Sequence, residues 1–354
     1  VKELLAQLVQ NQPLSEAQAI DAFDQIMSGS SEPTQTAALL ALIQHRGATV
    51  DELVGAAKVM RQKATKVAVP KGLTAIDTCG TGGDHAGTFN ISTASAIVAA
   101  GAGRPLDLCV AKHGNKSVTS KSGSSQVLES LGVKLMVQPE TLTKCMDEAG
   151  ICFCFAPAHH PAMKYAGPVR ADLGFRTIFN LVGPLTNPAG APRQLMGVFS
   201  ASLTEMLAEV LLKLGSIHAM VVHGQMPDVD GDGAHLGGID ELSTCGPNKL
   251  SIVRDGKVVT TNQDPTDLNL SLGHPQALRV DGPEASAKVI TDILAGKDDP
   301  PREIVALNAA AALHVGGVAE SLEGGLAMAF DAIDSGKARA ALDALIELTN
   351  QDKT

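Results

Sequence analysis

The chain has 354 residues and a net charge of −10, from 28 Lys and Arg against 38 Asp and Glu. That length points to roughly two domains at about 150 residues each, and 44% hydrophobic against 19% charged residues is ample core material, which excludes wholesale disorder. The acidic balance, with no Trp, one Tyr and 3% aromatic residues, argues against nucleic acid as a partner.

The longest apolar stretch, around residues 94–102, is broken by small and polar residues. It falls well short of the ~18 a membrane helix needs, so no membrane partner is expected. The segment KELLAQLVQNQ has neither a basic region nor an apolar run of signal-peptide type. Six cysteines, Cys79, Cys109, Cys145, Cys152, Cys154 and Cys245, are too sparse for a disulfide framework, and reduced thiols in a cytoplasmic enzyme are expected. Cys152 and Cys154 alternate with Phe153 and Phe155 as in a buried strand, which argues against a metal site there.

Residues 1–66 read as helices. Ser15 with Gln18, and Thr49 with Glu52, have the spacing of capping boxes, and Pro33 opens a further apolar-periodic run through Leu42. This block carries no recognisable chemistry and is expected to serve packing or subunit contact. From Leu73 the pattern changes. Ala75–Asp77 predicts a short strand running into a glycine-rich segment, with a helix over Ser92–Ala102. Leu106–Ala111 predicts a second strand, leading to a Lys- and Ser-rich segment and a helix over Ser124–Leu131. Strand, ligand-type loop and helix, repeated, indicate an α/β domain with its loops at strand C-termini. Further strands are expected at Ile151–Phe155, Leu195–Phe199 and Ala219–Val222, with a helix over Thr204–Lys213. A hairpin within 249–272 should turn at Asp255-Gly256. Helices, including Leu307–Leu313, should run from Arg302.

Four constellations carry chemistry. Gly80-Thr81-Gly82-Gly83-Asp84-His85-Ala86-Gly87 is not a dinucleotide fingerprint, because His85 stands where the third glycine belongs. It is not a Walker loop either, since no Gly-Lys-Ser/Thr follows. Its glycines can still turn backbone N–H groups onto an anion, and Asn90, Ser92 and Thr93 sit at the mouth of a helix that attracts phosphate. The alternative is an ordinary glycine turn with a helix cap. Lys112 to Ser120, continuing to Ser122-Gly123-Ser124, brings lysines and five hydroxyls that can wrap a phosphosugar; the alternative is a solvated loop. Asp240-Glu241 follows a strand and a long loop and could serve a water-keeping Mg²⁺, although on these residues alone a surface acidic pair is the better reading. Pro168 to Pro188 reads as a mostly apolar helix carrying Arg170 and Arg176, then a Gly-Pro and Asn-Pro stop. An Arg on such a helix can clamp a carboxylate or form an internal ion pair.

Taken in order, GTGGD…TFNIST, KHGN, SGS, HPAMKYAGPVR…LG.RTIFNL.GPL.NP and GIDEL closely resemble the anthranilate phosphoribosyltransferase family, within the nucleoside-phosphorylase-like transferases, over essentially the whole chain. The resemblance implies an α/β fold with a small N-terminal helical domain, 1–66 completed by helices near 165–185, and a large catalytic domain, 73–354, in a cytoplasmic homodimer. It implies transfer of phosphoribose from 5-phosphoribosyl 1-diphosphate to the amine of anthranilate, with release of diphosphate, in tryptophan biosynthesis. On this resemblance Gly80, Gly83, Asp84, Thr88, Asn90, Ile91, Ser92 and Thr93 hold the diphosphate and ribose. Lys112, His113, Gly114, Asn115, Lys116, Ser117, Val118, Thr119, Ser120 and Ser124 close over the same ligand. Ser92, Asp240 and Glu241 serve Mg²⁺, two per subunit, and Gly80, Asn115 and Arg170 meet anthranilate. No residue is expected to act as acid or base: the aromatic amine is already nucleophilic, so positioning and charge stabilisation of the leaving diphosphate carry the reaction.

The chain departs from the family pattern in places. Lys116 stands for a frequent Arg and Ser125-Gln126 for a frequent Ala-Asp, which should tune affinity. Gly103–Val110 is a few residues longer. Residues 225–237 intervene between Val222-His223-Gly224 and Gly238-Ile239-Asp240-Glu241. Within them Asp228-Val229-Asp230-Gly231-Asp232-Gly233 matches the opening of a calcium loop, but the twelfth position is Ile239 and no helix leads in; a mobile acidic loop is the expectation. A pyrimidine-nucleoside phosphorylase on the same architecture is the main rival, disfavoured by Asp240-Glu241 and RTIFNL.GPL.NP. A nucleic-acid-binding member is disfavoured by the charge of −10.

Overall fold

Both capping boxes form in the computed structural model, which describes residues 1–116, 122–227 and 237–353. Ser15 and Thr49 accept from the N–H groups of Gln18 and Glu52, opening helices Glu16–Ser28 and Val50–Lys63, and Pro33 takes the first position of helix Pro33–Arg46. With helix Lys2–Val9 they bury Phe23, Leu39, Leu40, Ile43 and Leu53. Glu52 is fully buried in this packing. It accepts from the N–H groups of Leu14 and Thr49, each at 2.9 Å, and pairs with Arg46.

The strands are β1 (Thr74–Gly80), β2 (Leu108–Gly114), β3 (Ile151–Phe155), β4 (Arg193–Gly197), β5 (His218–Gln225), β6 (Gly238–Ile239), β7 (Asn248–Arg254) and β8 (Lys257–Gln263). They form one sheet in the order β3-β2-β1-β4-β5-β7-β8, with β6 beside β5. β1 to β5 are parallel and buried on both faces, so they read as near-continuous apolar runs rather than alternating ones. β7 and β8 extend the sheet antiparallel, and Asp255 and Gly256, both at positive φ, make the expected two-residue turn. Helices Ile91–Gly103, Pro300–Gly316, Leu322–Asp334 and Lys337–Asn350 pack together on one side.

The apolar residues fall into two clusters. One joins the N-terminal helices to Ala166, Val169, Ile178, Phe179 and Leu185, to helix Leu203–Lys213 and to Met196, Val198, Ala219 and Val221. The other takes the remaining strands and the C-terminal helices. Phe23 meets Phe179 edge-on at 5.6 Å, so the segment around 165–185 packs with the N-terminal helices.

One expected helix is broken. Instead of running through 168–182, helix Met163–Leu173 stops at Gly174, which takes the left-handed conformation (φ 66°), and a short helix restarts at Phe179–Val182. The Asn180 side chain accepts from the Thr177 N–H at 3.0 Å and shapes the restart. Arg176 therefore lies off the helix. Helices Pro139–Glu148 and Pro283–Leu294, each opened by a proline at its first position, lie outside the expected elements. All six cysteines are buried and unpaired, and no helix among the described residues is long and apolar enough to cross a membrane.

Candidate active site

β1 lies between β2 and β4, so the chain leaves it in opposite directions and opens a crevice beyond the C-terminal ends of β1 and β4, where ligands settle in open α/β sheets. Gly80 and Gly197 end these two strands as register partners. Neither could carry a side chain: a Cβ on Gly80 would overlap the Asp240 carboxylate, and one on Gly197 the Asp240 carbonyl. Asp240 is thus seated over the crevice.

Carboxylate oxygens of Asp84, Asp240 and Glu241 lie within 4.8 Å of one another. The Asp240 N–H donates to Asp84 Oδ2 at 3.3 Å and the Gly82 N–H to Asp240 Oδ2 at 2.7 Å, while the backbone of Ser92, at the mouth of helix Ile91–Gly103, favours the ionised form of Glu241. Burial, then the charge of Asp84, pushes Asp240 up to about 8, and burial with both neighbouring carboxylates pushes Glu241 well up. The pair is therefore not a surface acidic patch. Three hard oxygen donors held this close, with the ionised forms of Asp240 and Glu241 disfavoured by burial and neighbouring charge, suit a divalent cation such as Mg²⁺.

Around them the loops converge. Gly82, Gly83, His85 and Gly87 take positive φ. Among the described residues, the N–H groups of Gly83, Asp84, His85, Gly87 and Thr88 make no hydrogen bond within the chain. They form a bank of donors fit for an anion. Thr88 is held by bridging to Arg279. Asn90 caps the helix through the Thr93 N–H and reaches across to the second loop, donating to the Ser122 carbonyl at 3.2 Å and lying 3.4 Å from Ser124 Oγ. Ile91 and Thr93 point into the core with no exposure, so only their backbone can serve a ligand, while Asn90 and Ser92 remain at the mouth.

Lys112 is in β2, not in the loop. It is buried and donates to the Thr78 carbonyl and to Ser92 Oγ at 3.2 Å. Burial lowers its pKa against the pull of Asp77, Glu241 and Asp240. The next residue faces the other side: His113 Nε2 is 3.1 Å from His160 Nε2, and burial lowers His113 to about 3 and His160 to about 4. Gly114 ends the strand, Asn115 and Lys116 are exposed, and Ser117, Val118, Thr119 and Ser120 lie outside the described residues, as does the calcium-like segment 228–233.

Arg170 is half-buried. It meets the Asn180 side-chain carbonyl at 3.5 Å and stacks over Phe179 at 5.3 Å. Among the described residues no carboxylate lies within ion-pair distance of it, which removes the internal-ion-pair alternative and leaves a cation suited to an organic carboxylate. One residue assigned to the diphosphate takes a further place, and one residue without an assigned role joins the site. Asp84 joins the metal-type carboxylates, a role its place in a glycine-rich loop did not signal. Arg176 reaches that loop with its guanidinium, whereas in the sequence it reads only as a second arginine on the same helix as Arg170.

Residues 72–339 match the family described as "Glycosyl transferase family, a/b domain" and residues 2–64 "Glycosyl transferase family, helical bundle domain". The chain is 45% identical over 350 residues to an anthranilate phosphoribosyltransferase of Acetivibrio thermocellus, covering 99% of this chain and 97% of the relative. It is 44% identical over 352 residues to that of Rubrobacter xylanophilus, covering 99% and 98%. Its structure is similar to that of the anthranilate phosphoribosyltransferase of Thermus thermophilus, at 36% identity and a TM-score of 0.87 over 98% of this chain and 99% of that one. It is also similar to the enzyme of Saccharomyces cerevisiae in complex with PRPP and Mg, at 25% identity and a TM-score of 0.85 over 98% and 97%.

Proposed function

The chain belongs to the anthranilate phosphoribosyltransferase family, and from that premise we propose that the crevice over β1 and β4 is where its two substrates meet. It transfers the 5-phosphoribosyl group of 5-phosphoribosyl 1-diphosphate to the amine of anthranilate, giving N-(5-phosphoribosyl)anthranilate and diphosphate, in tryptophan biosynthesis. The observation that carries the site is the meeting of three carboxylates with a bank of unpartnered amides at the switch point of the sheet.

In this reading the amides of Gly83, Asp84 and Thr88, with Asn90, Ser92 and the N-terminus of helix Ile91–Gly103, bind the diphosphate and ribose. The Ser124 hydroxyl and the segment Gly114 to Ser120 close over them. Asp84, Asp240, Glu241 and Ser92 hold Mg²⁺, two ions per subunit. Mg²⁺ bound there supplies positive charge against the leaving diphosphate. Lys112, under the carboxylates, offsets their charge and orients Ser92 rather than reaching the substrate from a loop. Arg170 pairs with the anthranilate carboxylate, with Gly80 and Asn115 beside the ring, which leaves the amine free to face the sugar. The amine needs no base to attack, and holding the two reactants in line supplies most of the acceleration. His113 and His160 border this region as a neutral pair.

The helical domain is 1–66 with the segment near 165–185, supported by their shared apolar cluster, and 73–354 form the catalytic domain. We assign a homodimer on the family likeness and a cytoplasmic setting on six unpaired thiols. The assay is the loss of anthranilate fluorescence with 5-phosphoribosyl 1-diphosphate and Mg²⁺. Turnover that collapses in the Asp240→Ala, Glu241→Ala double variant supports the site. Thymidine phosphorolysis without anthranilate turnover would favour the phosphorylase instead.

A further inference from the structure

Arg170 and Arg176 sit on one short segment, on either side of the helix stop at Gly174, and point to different parts of the site. Arg170 lies on the helical side against Asn180 and Phe179. The Arg176 guanidinium crosses to the glycine-rich loop. It donates to the Gly83 carbonyl, lies 3.0 Å from His85 Nε2 and stacks over the Phe199 ring at 4.6 Å. Phe199 follows β4 and is itself tied to the loop, its N–H donating to Thr81 Oγ1 at 3.1 Å. The guanidinium is thus wedged between the loop and the exit of β4.

This contact has a direct effect on the donors of the loop. A peptide unit is planar and trans, so its C=O and the following N–H point in opposite directions. Holding the Gly83 carbonyl on Arg176 therefore aims the Asp84 N–H away from the guanidinium. That N–H is one of the unpartnered donors. The φ of +81° at Gly83 favours glycine, and a Cβ there would push the guanidinium off the loop. His85, a non-glycine residue at φ 61°, is held in the same unfavourable region with its ring on Arg176. Among the described residues no carboxylate pairs with Arg176, so its charge stays available to the loop.

We propose that Arg176 is a positioning residue that sets the anion-binding shape of the glycine-rich loop and, through the segment it shares with Arg170, couples occupancy of that loop to capture of the aromatic carboxylate. The inference rests on the substrate assignment above. An anion that draws the loop amides inward tightens the Gly83–Arg176 contact, which restrains residues 174–178 and with them the Arg170 end of the helix. Coupling of this kind is reciprocal, so anthranilate must also raise affinity for the anion by the same factor.

The test uses diphosphate with Mg²⁺ as the loop probe, because it cannot turn over with anthranilate. Calorimetry gives the anthranilate Kd with and without the probe. The wild-type protein should bind anthranilate at least about fivefold more tightly with the probe present. Arg176→Ala should abolish that difference, leave the probe-free anthranilate Kd unchanged and raise the KM for 5-phosphoribosyl 1-diphosphate about tenfold. Arg176→Lys keeps the charge but not the stack or the fork, and should recover part of the KM and none of the coupling. Phe199→Leu removes only the stack and should weaken the coupling, which keeps the test open if Arg176→Ala folds poorly. No coupling in the wild type, or a wild-type KM with intact coupling in Arg176→Ala, overturns the proposal. Absence of any wild-type turnover overturns the substrate assignment instead.

Discussion

Gly80 and Gly197 face each other as the last residues of β1 and β4, and Asp240 occupies the space above both. Strand ends, metal-type carboxylate and glycine pair form one unit. Gly197→Ala should displace the Asp240 backbone, because the overlap is with a carbonyl that cannot rotate away. We expect kcat/KM to fall by at least about 100-fold, roughly 2.7 kcal/mol of transition-state stabilisation. A variant with wild-type kinetics would show that Asp240 is not held by this contact.

The carboxylates of Asp84, Asp240 and Glu241 repel one another unless a cation lies among them. Glu241→Gln removes one ionisable group at nearly constant shape. In EDTA its Tm should rise by about 2–4 °C, the scale of 1 kcal/mol in a large domain. The rise in Tm that Mg²⁺ gives the wild type should shrink, and turnover should drop on the order of 100-fold. Scanning fluorimetry with and without Mg²⁺ measures the first two. A wild-type Mg²⁺ response in the variant would remove Glu241 from the metal set.

Glu52 joins three partners without touching solvent. Glu52→Ala strands Arg46, leaves the Leu14 and Thr49 N–H groups unpaired and should cost about 3 kcal/mol. Glu16→Ala, which breaks the half-exposed pair with Lys58, should cost under about 1 kcal/mol. Urea unfolding of both variants checks the contrast, and equal losses would contradict it.

His113 and His160 are held neutral well below the ordinary histidine value of 6.5. The unfolded chain protonates them as pH falls through about 6.5, whereas the folded chain resists until about 3 to 4. Stability is therefore complete above about 6.5 and declines below it, by about 1.4 kcal/mol per pH unit for each histidine. Between about pH 7 and pH 5.5 the unfolding free energy of His160→Asn should fall by about 1.3 kcal/mol less than that of the wild type. Equal declines would mean that His160 titrates normally in the folded protein.

Much of this molecule was legible from local signals. Capping boxes at Ser15 and Thr49, the strand Ile151–Phe155 and the turn at Asp255-Gly256 stand where their spacing placed them, because caps, turns and periodicity are written within a few neighbouring residues. The alternation of strand, loop and helix marked the α/β domain, and the ordered motifs marked the family. The tertiary structure alone decided which of these pieces meet. Asp84 touches Asp240 across 156 positions of sequence, a contact set by the order β2-β1-β4-β5 and the register of Gly80 with Gly197. Lys112 and His113 are neighbours in the chain, yet the pleat of β2 sends one beneath the carboxylates and the other to His160. Gly174 ends its helix where apolar periodicity would have carried it on, and that stop releases Arg176 to reach Gly83. Such juxtapositions depend on strand order, register and the direction of a side chain after a helix stop. No window of local sequence contains them.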